Sequence, residues 1–534
     1  MLSSRGRASI AAVVVLGSLV LASCASGGSD GATAGGGSDD ATTMGLIGNQ
    51  PDGGDPISGG KLTYASYSPI ASLDPTVTMP SGATGASELS AVYDVLARWD
   101  PVDDTFKPQL AQEITPNEDF TSWTVTLRDG VNFSDGTPLN AEAVTWSIDR
   151  FVEKKGLNGQ LISEGVASTT TPDEHTVVFD LHQPSATFPA LLAAGPGIIV
   201  APSSVQGDEF TPIGAGPFTV ERFAPQDELV LAPKADYWGG KPYLDQLRFV
   251  NIAGDQAKID AMDSGGIQMA YLRSPETVTA AREAGGVGMQ EINSLGNFGM
   301  INNSEGRPGA DIRVRKAMAY AIDPAQIDQR VANGTGLPGS EIFMPWSKWH
   351  TESTPITQDT AKAKELLDEA KADGYDGHLT YTSLSAPTAQ AQALSVQAQL
   401  QAVGFNVEIV YLNNATDVTK RNYIERDFDI SRGAASLMEQ DPYIRLDSSL
   451  SSTSPSNALG FSDPAMDAAL EELQTATTDD AKRAAIAKIQ TVVNEEVPFL
   501  SWGAQATFIT WQDDVHGVKP SLDTVILFDK AWIG

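Results

Sequence analysis

The stretch that most restricts the fold of this chain is residues 123–151, because its hydrophobic period changes from that of a strand to that of a helix within one short segment. In Trp123-Thr124-Val125-Thr126-Leu127-Arg128 apolar and polar residues alternate, so Trp123, Val125 and Leu127 share one buried face. Asp129-Gly130 turns the chain, Val131 and Phe133 resume the alternation, and Asp135-Gly136 turns it again. Beyond them Asn140 can cap a helix with Glu142 in its first turn and Val144, Ile148 and Phe151 on one face. Strand, turn and helix following one another in this way demand a mixed architecture.

The same mixture recurs along the chain. Gly60-Lys61-Leu62-Thr63-Tyr64-Ala65 reads as a strand and Leu73-Asp74-Pro75 as a turn, while residues 405–411 read as a strand that follows a helix. Residues 311–321 have helical spacing, with Val314, Ala317, Met318 and Ala321 inward and Arg313 and Lys316 toward water. Residues 361–372 and 463–491 also read as amphipathic helices. No internal repeat is present, and α/β lobes fit this pattern better than an all-α or all-β fold. At roughly 150 residues per domain, 534 residues predict between two and four domains.

Charge excludes one class of partner. The chain carries 68 acidic against 35 basic residues, a net charge of −33, whereas a nucleic-acid binder gathers Lys and Arg to neutralise phosphates. The acid excess reads as a solvated surface, and no nucleic-acid partner or polybasic membrane patch is expected. With a single cysteine the chain can form no internal disulfide and no four-cysteine or Cys2His2 zinc site.

That cysteine is Cys24, at the end of a segment with Arg5 and Arg7 followed by an apolar run from Ile10 to Ala22. The run would span only about 20 Å of a hydrocarbon core roughly 30 Å thick, which makes residues 1–23 a predicted signal peptide rather than a permanent helix. Leu21-Ala22-Ser23-Cys24 resembles the bacterial lipobox, which implies diacylglycerol on Cys24 and anchoring to the outer face of the plasma membrane. Residues 24–58 are rich in Gly, Ser, Asp and Thr and are expected to form a flexible tether. Gly27-Gly28-Ser29-Asp30-Gly31 matches the hydrolase elbow literally, but it lacks the flanking strand and helix and reads as linker composition.

Little in the sequence supports catalysis. The five histidines, His175, His182, His350, His378 and His516, are scattered and fit no metal-binding spacing. Adjacent acids such as Glu495-Glu496 read as solvated faces, and no phosphate-cradling loop is present, so any ATPase must be another polypeptide. No cofactor and no metal are expected, and binding without turnover is the simplest account.

Several blocks, in order, resemble the extracytoplasmic solute-binding proteins of the oligopeptide, dipeptide and nickel group, family 5, which deliver ligands to ABC importers. They are Val92-Tyr93-Asp94-Val95-Leu96, the run 123–138, Gly214-Ala215-Gly216-Pro217-Phe218, Tyr237-Trp238-Gly239-Gly240-Lys241-Pro242-Tyr243-Leu244-Asp245, and Asp311-Ile312-Arg313-Val314-Arg315-Lys316-Ala317. Asp441-Pro442, Glu496-Val497-Pro498 and Val518-Lys519-Pro520 follow late in the chain. The family most often has His where this chain has Ser134. The resemblance implies a two-lobed type II periplasmic-binding-protein fold with an extra subdomain and a hinge. Its lobe I would run over 59–296 with the subdomain at about 97–190, lobe II over 297–497, and the return to lobe I over 498–534.

It further implies a monomeric, lipid-anchored receptor, not an enzyme, that captures a peptide or similar small solute by cleft closure. The solute would pass to ABC permease subunits served by separate ATPase subunits. In the peptide-binding branch an aspartate just before an Asp-Pro pair holds the ligand's amino group. Counted back from Asp441-Pro442, that position falls on the uncharged Met438, and on Glu439 if the register shifts by one. Arg432 is a candidate partner for a ligand carboxylate, and Tyr64, Tyr67, Trp346, Trp349 and Trp502 are candidate cleft residues, because such pockets are mostly apolar and aromatic. The competing readings are an anchored extracellular hydrolase using an Asp/Glu pair, and a sensor or adhesion protein whose partner is another protein.

Overall fold

The computed structural model of the chain describes residues 41–534. The predicted signal peptide 1–23, Cys24 and the elbow-like run 27–31 lie outside the described residues. Strands and helices alternate throughout, as the switching periods predict. Ser122–Leu127 is a strand with Trp123, Val125 and Leu127 buried, and Ala141–Glu153 is a helix whose Asn140 side chain accepts from the Ala143 N–H at 2.9 Å. Both belong to a four-stranded antiparallel sheet with one helix against it, formed by Ala111–Pro116, Ser122–Leu127, Thr176–Leu181 and Val166–Asp173.

The rest is organised on a 12-stranded sheet. Two strands of unusual length, Val287–Ile301 and Phe499–Trp511, pair antiparallel at its centre. On the far side of Phe499–Trp511 lie Met269–Leu272 and Lys61–Ala65, packed into a core of Leu62, Tyr64, Leu89 and Phe249. Beyond Val287–Ile301 lie Ile430–Gly433, His378–Leu384 and Asn406–Leu412, packed with Val314, Met318, Leu367 and Leu400. Pairing between the two long strands is regular from Val287↔Trp511 to Asn293↔Gln505, shifts, and resumes at Asn297↔Gly503. Leu295 has φ 48° at this break. Gly503 has φ 135°, and a Cβ there would lie 2.1 Å from the Leu337 carbonyl oxygen, so only glycine fits.

Two expectations need correction. The tether does not extend to residue 58 as a structureless segment: Gly45–Ile47 is a strand paired with residues 288–290, and Gln50 donates to the carbonyls of Asp513 and Val515 at 3.0 and 3.2 Å. Composition hid this, because large apolar residues are few in the segment, Met44, Leu46, Ile47 and Ile57, yet Gly45–Ile47 suffices to cover an open edge of the Val287–Ile301 strand. The helix expected over 463–491 is two helices, Pro464–Thr475 and Asp479–Glu496. Ala476 is extended, and Thr478 starts the second helix by accepting from the Ala481 N–H, with Asp479 and Asp480 favouring its N-terminus.

Candidate functional site

The register break makes room for a site. A cavity of about 420 Å³ opens beside it, walled by Tyr67, Arg273, Asn297, Arg432, Trp502 and Gln505, with helical residues such as Gln392 and Asp328 closing its sides. Arg273 leaves the strand Met269–Leu272 on one side of the two long strands, which as the shared centre of the sheet are the hinge strands, and Arg432 lies on Ile430–Gly433 on the other. Arg273 donates from Nη1 to the Tyr67 hydroxyl at 2.8 Å, and its guanidinium lies 5.4 Å from that ring's centroid. Among the described residues Arg432 donates only to the amide oxygen of Asn297, at a long 3.5 Å, and Gln392 donates to the same oxygen at 2.9 Å.

Among the described residues neither arginine forms an ion pair. Burial first, and the neighbouring Arg273 second, push the Arg432 pKa down from its ordinary value. Two like charges facing one cavity are costly unless an anion joins them. The acids around the cavity do not supply it. Asp255 accepts from the N–H groups of Arg273 and Ser274, both at 2.6 Å, Glu276 accepts from the Asn333 amide, and Asp328 accepts from the Gly336 N–H at 3.1 Å. The arrangement can hold a carboxylate. Among the described residues no group of three or more His, Cys, Asp or Glu is placed to hold a metal ion.

Of the residues singled out in the sequence, Tyr67, Arg432 and Trp502 come together in this cavity. Trp502 is 2% exposed, stacks on Tyr381, and has a buried Nε1 with no partner among the described residues. The others lie elsewhere. Tyr64 is core, packed on Phe249 and Phe528 at 5.8 and 6.2 Å between ring centroids, because all of Leu62 to Ala65 is buried and neither face of that strand meets the cleft. Trp349 is also core, donating from Nε1 to the Glu439 carbonyl at 2.7 Å, and Trp346 is half-buried away from the cavity.

Met438 is 4% exposed and packs with Ile444 and Leu522. The Glu439 carboxylate accepts from the Ser347 hydroxyl at 2.8 and 2.9 Å, and burial pushes its pKa up to about 7. Asp441 accepts from the Tyr443 N–H at 2.9 Å and borders a separate cavity of about 310 Å³ with Glu164, Phe188 and Asp447.

Sequence reasoning missed Arg273, Asn297 and Gln392, and also a second polar centre. Where Met438 packs in one cluster with Leu522, a cavity of about 20 Å³ is bordered by Ser81, Met438, Arg445 and Asp523. There Arg445 Nη2 donates to Asp523 Oδ2 at 2.9 Å. No local pattern marks these residues; only the long-range pairing of the hinge strands brings them together.

Residues 105–457 match the family model described as bacterial extracellular solute-binding proteins, family 5 Middle. The glutathione-binding protein GsiB of Escherichia coli (strain K12) is 27% identical over 313 residues, which span 58% of this chain and 61% of that relative. In fold, the chain is similar to the periplasmic binding protein DppA from Helicobacter pylori in complex with the peptide STSA, with a TM-score of 0.75 and 21% identity over 89% of this chain and 98% of that one. It is equally similar to the dipeptide-binding protein from Pseudoalteromonas sp. SM9913 in complex with Met-Leu, with a TM-score of 0.75 and 23% identity over 89% and 100% of the two chains.

Proposed function

The chain belongs to the bacterial extracellular solute-binding proteins, family 5, and from that premise we propose that it is the substrate-binding component of an ABC importer for a small peptide-like solute bearing a carboxylate. One observation carries the reading: Arg273 and Arg432 approach a single cavity from the two sides of the long central strands, and among the described residues neither guanidinium forms an ion pair. A carboxylate held by both guanidiniums stabilises the closed lobes over the open ones, and only such differential affinity shifts that equilibrium. The ligands of the structural neighbours, STSA and Met-Leu, each end in a carboxylate, as does glutathione.

We take the register break, between Asn293 and Asn297 on one long strand and near Gly503 on the other, as the division between the lobes, in place of the 497/498 boundary that the family resemblance implies. Delivery would be to a permease with separate ATPase subunits, and the lipobox-like Leu21-Ala22-Ser23-Cys24 supports attachment to the outer face of the plasma membrane.

Small-angle scattering with and without glutathione or Met-Leu tests the reading. A saturable fall in the radius of gyration is expected with one of them. Arg432→Ala should weaken that solute about 10- to 100-fold, the size of a lost charge-assisted bond. Recovery of the solute intact after incubation distinguishes a receptor from a hydrolase.

A further inference from the structure

The hinge strand Val287–Ile301 carries an anomaly. Its polar residues Gln290, Glu291, Asn293 and Ser294 are all buried. Gln290 donates to the carbonyls of Ala41 and Thr43, but Glu291, 6% exposed, leaves Oε1 with no partner among the described residues. The Thr524 N–H donates to this carboxyl, and the Asp523 carboxylate lies beside it. Burial, and then Asp523, push the Glu291 pKa up to about 8.

Asp523 and Thr524 are consecutive residues with φ of 55° and 63°, a conformation that side chains other than glycine rarely adopt. Asp523 is 5% exposed and meets Arg445 from the opposite lobe. The hydroxyls of Thr524 and Ser81, each more than nine-tenths buried, also have no partner among the described residues, and Ser81 borders the same small cavity as Met438, Arg445 and Asp523. Asp523 thus meets a guanidinium while the Glu291 carboxyl beside it meets none, and acceptor oxygens are left over. An unmet buried acceptor is costly, and a group bringing several N–H donors and one positive charge would satisfy this set.

Its position relative to the arginines defines the ligand. The strand register relates the two centres: Leu272, next to Arg273, pairs with Phe508, and Glu291 pairs with Thr507, the neighbouring residue on the strand Phe499–Trp511. The rings of Tyr271 and Tyr67 lie 5.2 Å apart. Arg273, with Tyr67 against it, and Glu291 therefore lie on the two sides of the strand Phe499–Trp511.

Building on the importer reading, we infer that Glu291 and Asp523, with Thr524 and Ser81, receive the ammonium group of a zwitterionic solute whose carboxylate lies at Arg273 and Arg432. The ligand class is a short peptide or peptide-like amino acid with a free amine, and the acid pair replaces the aspartate that Met438 lacks. On binding, the ammonium keeps its protons, Glu291 ionises, and its proton leaves to solvent.

Calorimetric titration of the wild-type protein tests this without any variant, using Met-Leu, glutathione and their N-acetylated forms in buffers of differing ionisation enthalpy. At pH 7 the free amines should bind at least tenfold tighter than the blocked forms and release close to one proton per site, roughly as a group with its pKa one unit above the pH requires. Glu291→Gln should abolish the proton release and weaken free-amine binding about tenfold, leaving the N-acetylated forms unaffected. Asp523→Asn is the second variant, with the same expected selectivity. Blocked amines that bind as tightly as free ones overturn the subsite and leave the importer reading standing. Failure of every form to bind or to close the lobes overturns both.

Discussion

Glu291 is the residue on which stability and binding oppose one another. Its folded-state pKa of about 8 lies above the ordinary 4.5, so the folded protein holds this proton more tightly than the unfolded chain. The contribution to stability is complete below pH 4.5 and is lost as pH rises toward 8, at up to about 1.4 kcal/mol per pH unit. In the ligand-free protein Glu291→Gln is therefore expected to melt higher than wild type, with a gap that widens from pH 5 to pH 8 in a thermal-unfolding series. A constant gap would mean that the carboxyl titrates normally. The two tyrosines separate by the same logic. Tyr64→Ala should destabilise the protein by about 3 kcal/mol in chemical denaturation, because it empties a core position. Tyr67→Phe should leave stability unchanged and weaken the solute several-fold, because it frees Arg273 from its 2.8 Å partner. Arg432 was legible from its place before Asp441-Pro442. Tyr64 was misread because a strand buried on both faces looks, in sequence, like one that ends at a cleft.

Among the elements, those whose signals are local were readable. The strand from Ser122, the Asn140 cap and the helix Ile312–Ala321 each follow from period and capping residue alone. Asn140→Ala should cost about 1 kcal/mol, measurable in urea unfolding. The break near Gly503 was not readable, since a bulge is defined by the partner strand and Phe499–Trp511 pairs with residues some two hundred positions earlier. Gly503→Ala would place a Cβ against the Leu337 carbonyl at positive φ. A loss of more than about 1 kcal/mol in the same unfolding experiment is the expected outcome. Gly45–Ile47 teaches the complementary lesson, because three residues can leave a low-complexity segment and pair with an available edge without altering the composition that predicted a tether.

For the whole molecule, two lobes share one sheet whose central strands lose register, and cationic side chains from both sides line the cavity beside that break. The sequence showed the lobes through their ordered family blocks, but the cavity is made of residues drawn from across the chain, and only folding assembles Arg273 with Arg432. The central claim is that a carboxylate-bearing solute joins those two arginines. Native mass spectrometry of the purified protein, against an Arg273→Met/Arg432→Met variant, tests it most directly. The account predicts a stoichiometric small-molecule adduct on the wild-type protein, identified as a carboxylic acid on release and absent from the variant. A released solute with no acid group, or an adduct that survives both substitutions, would contradict it.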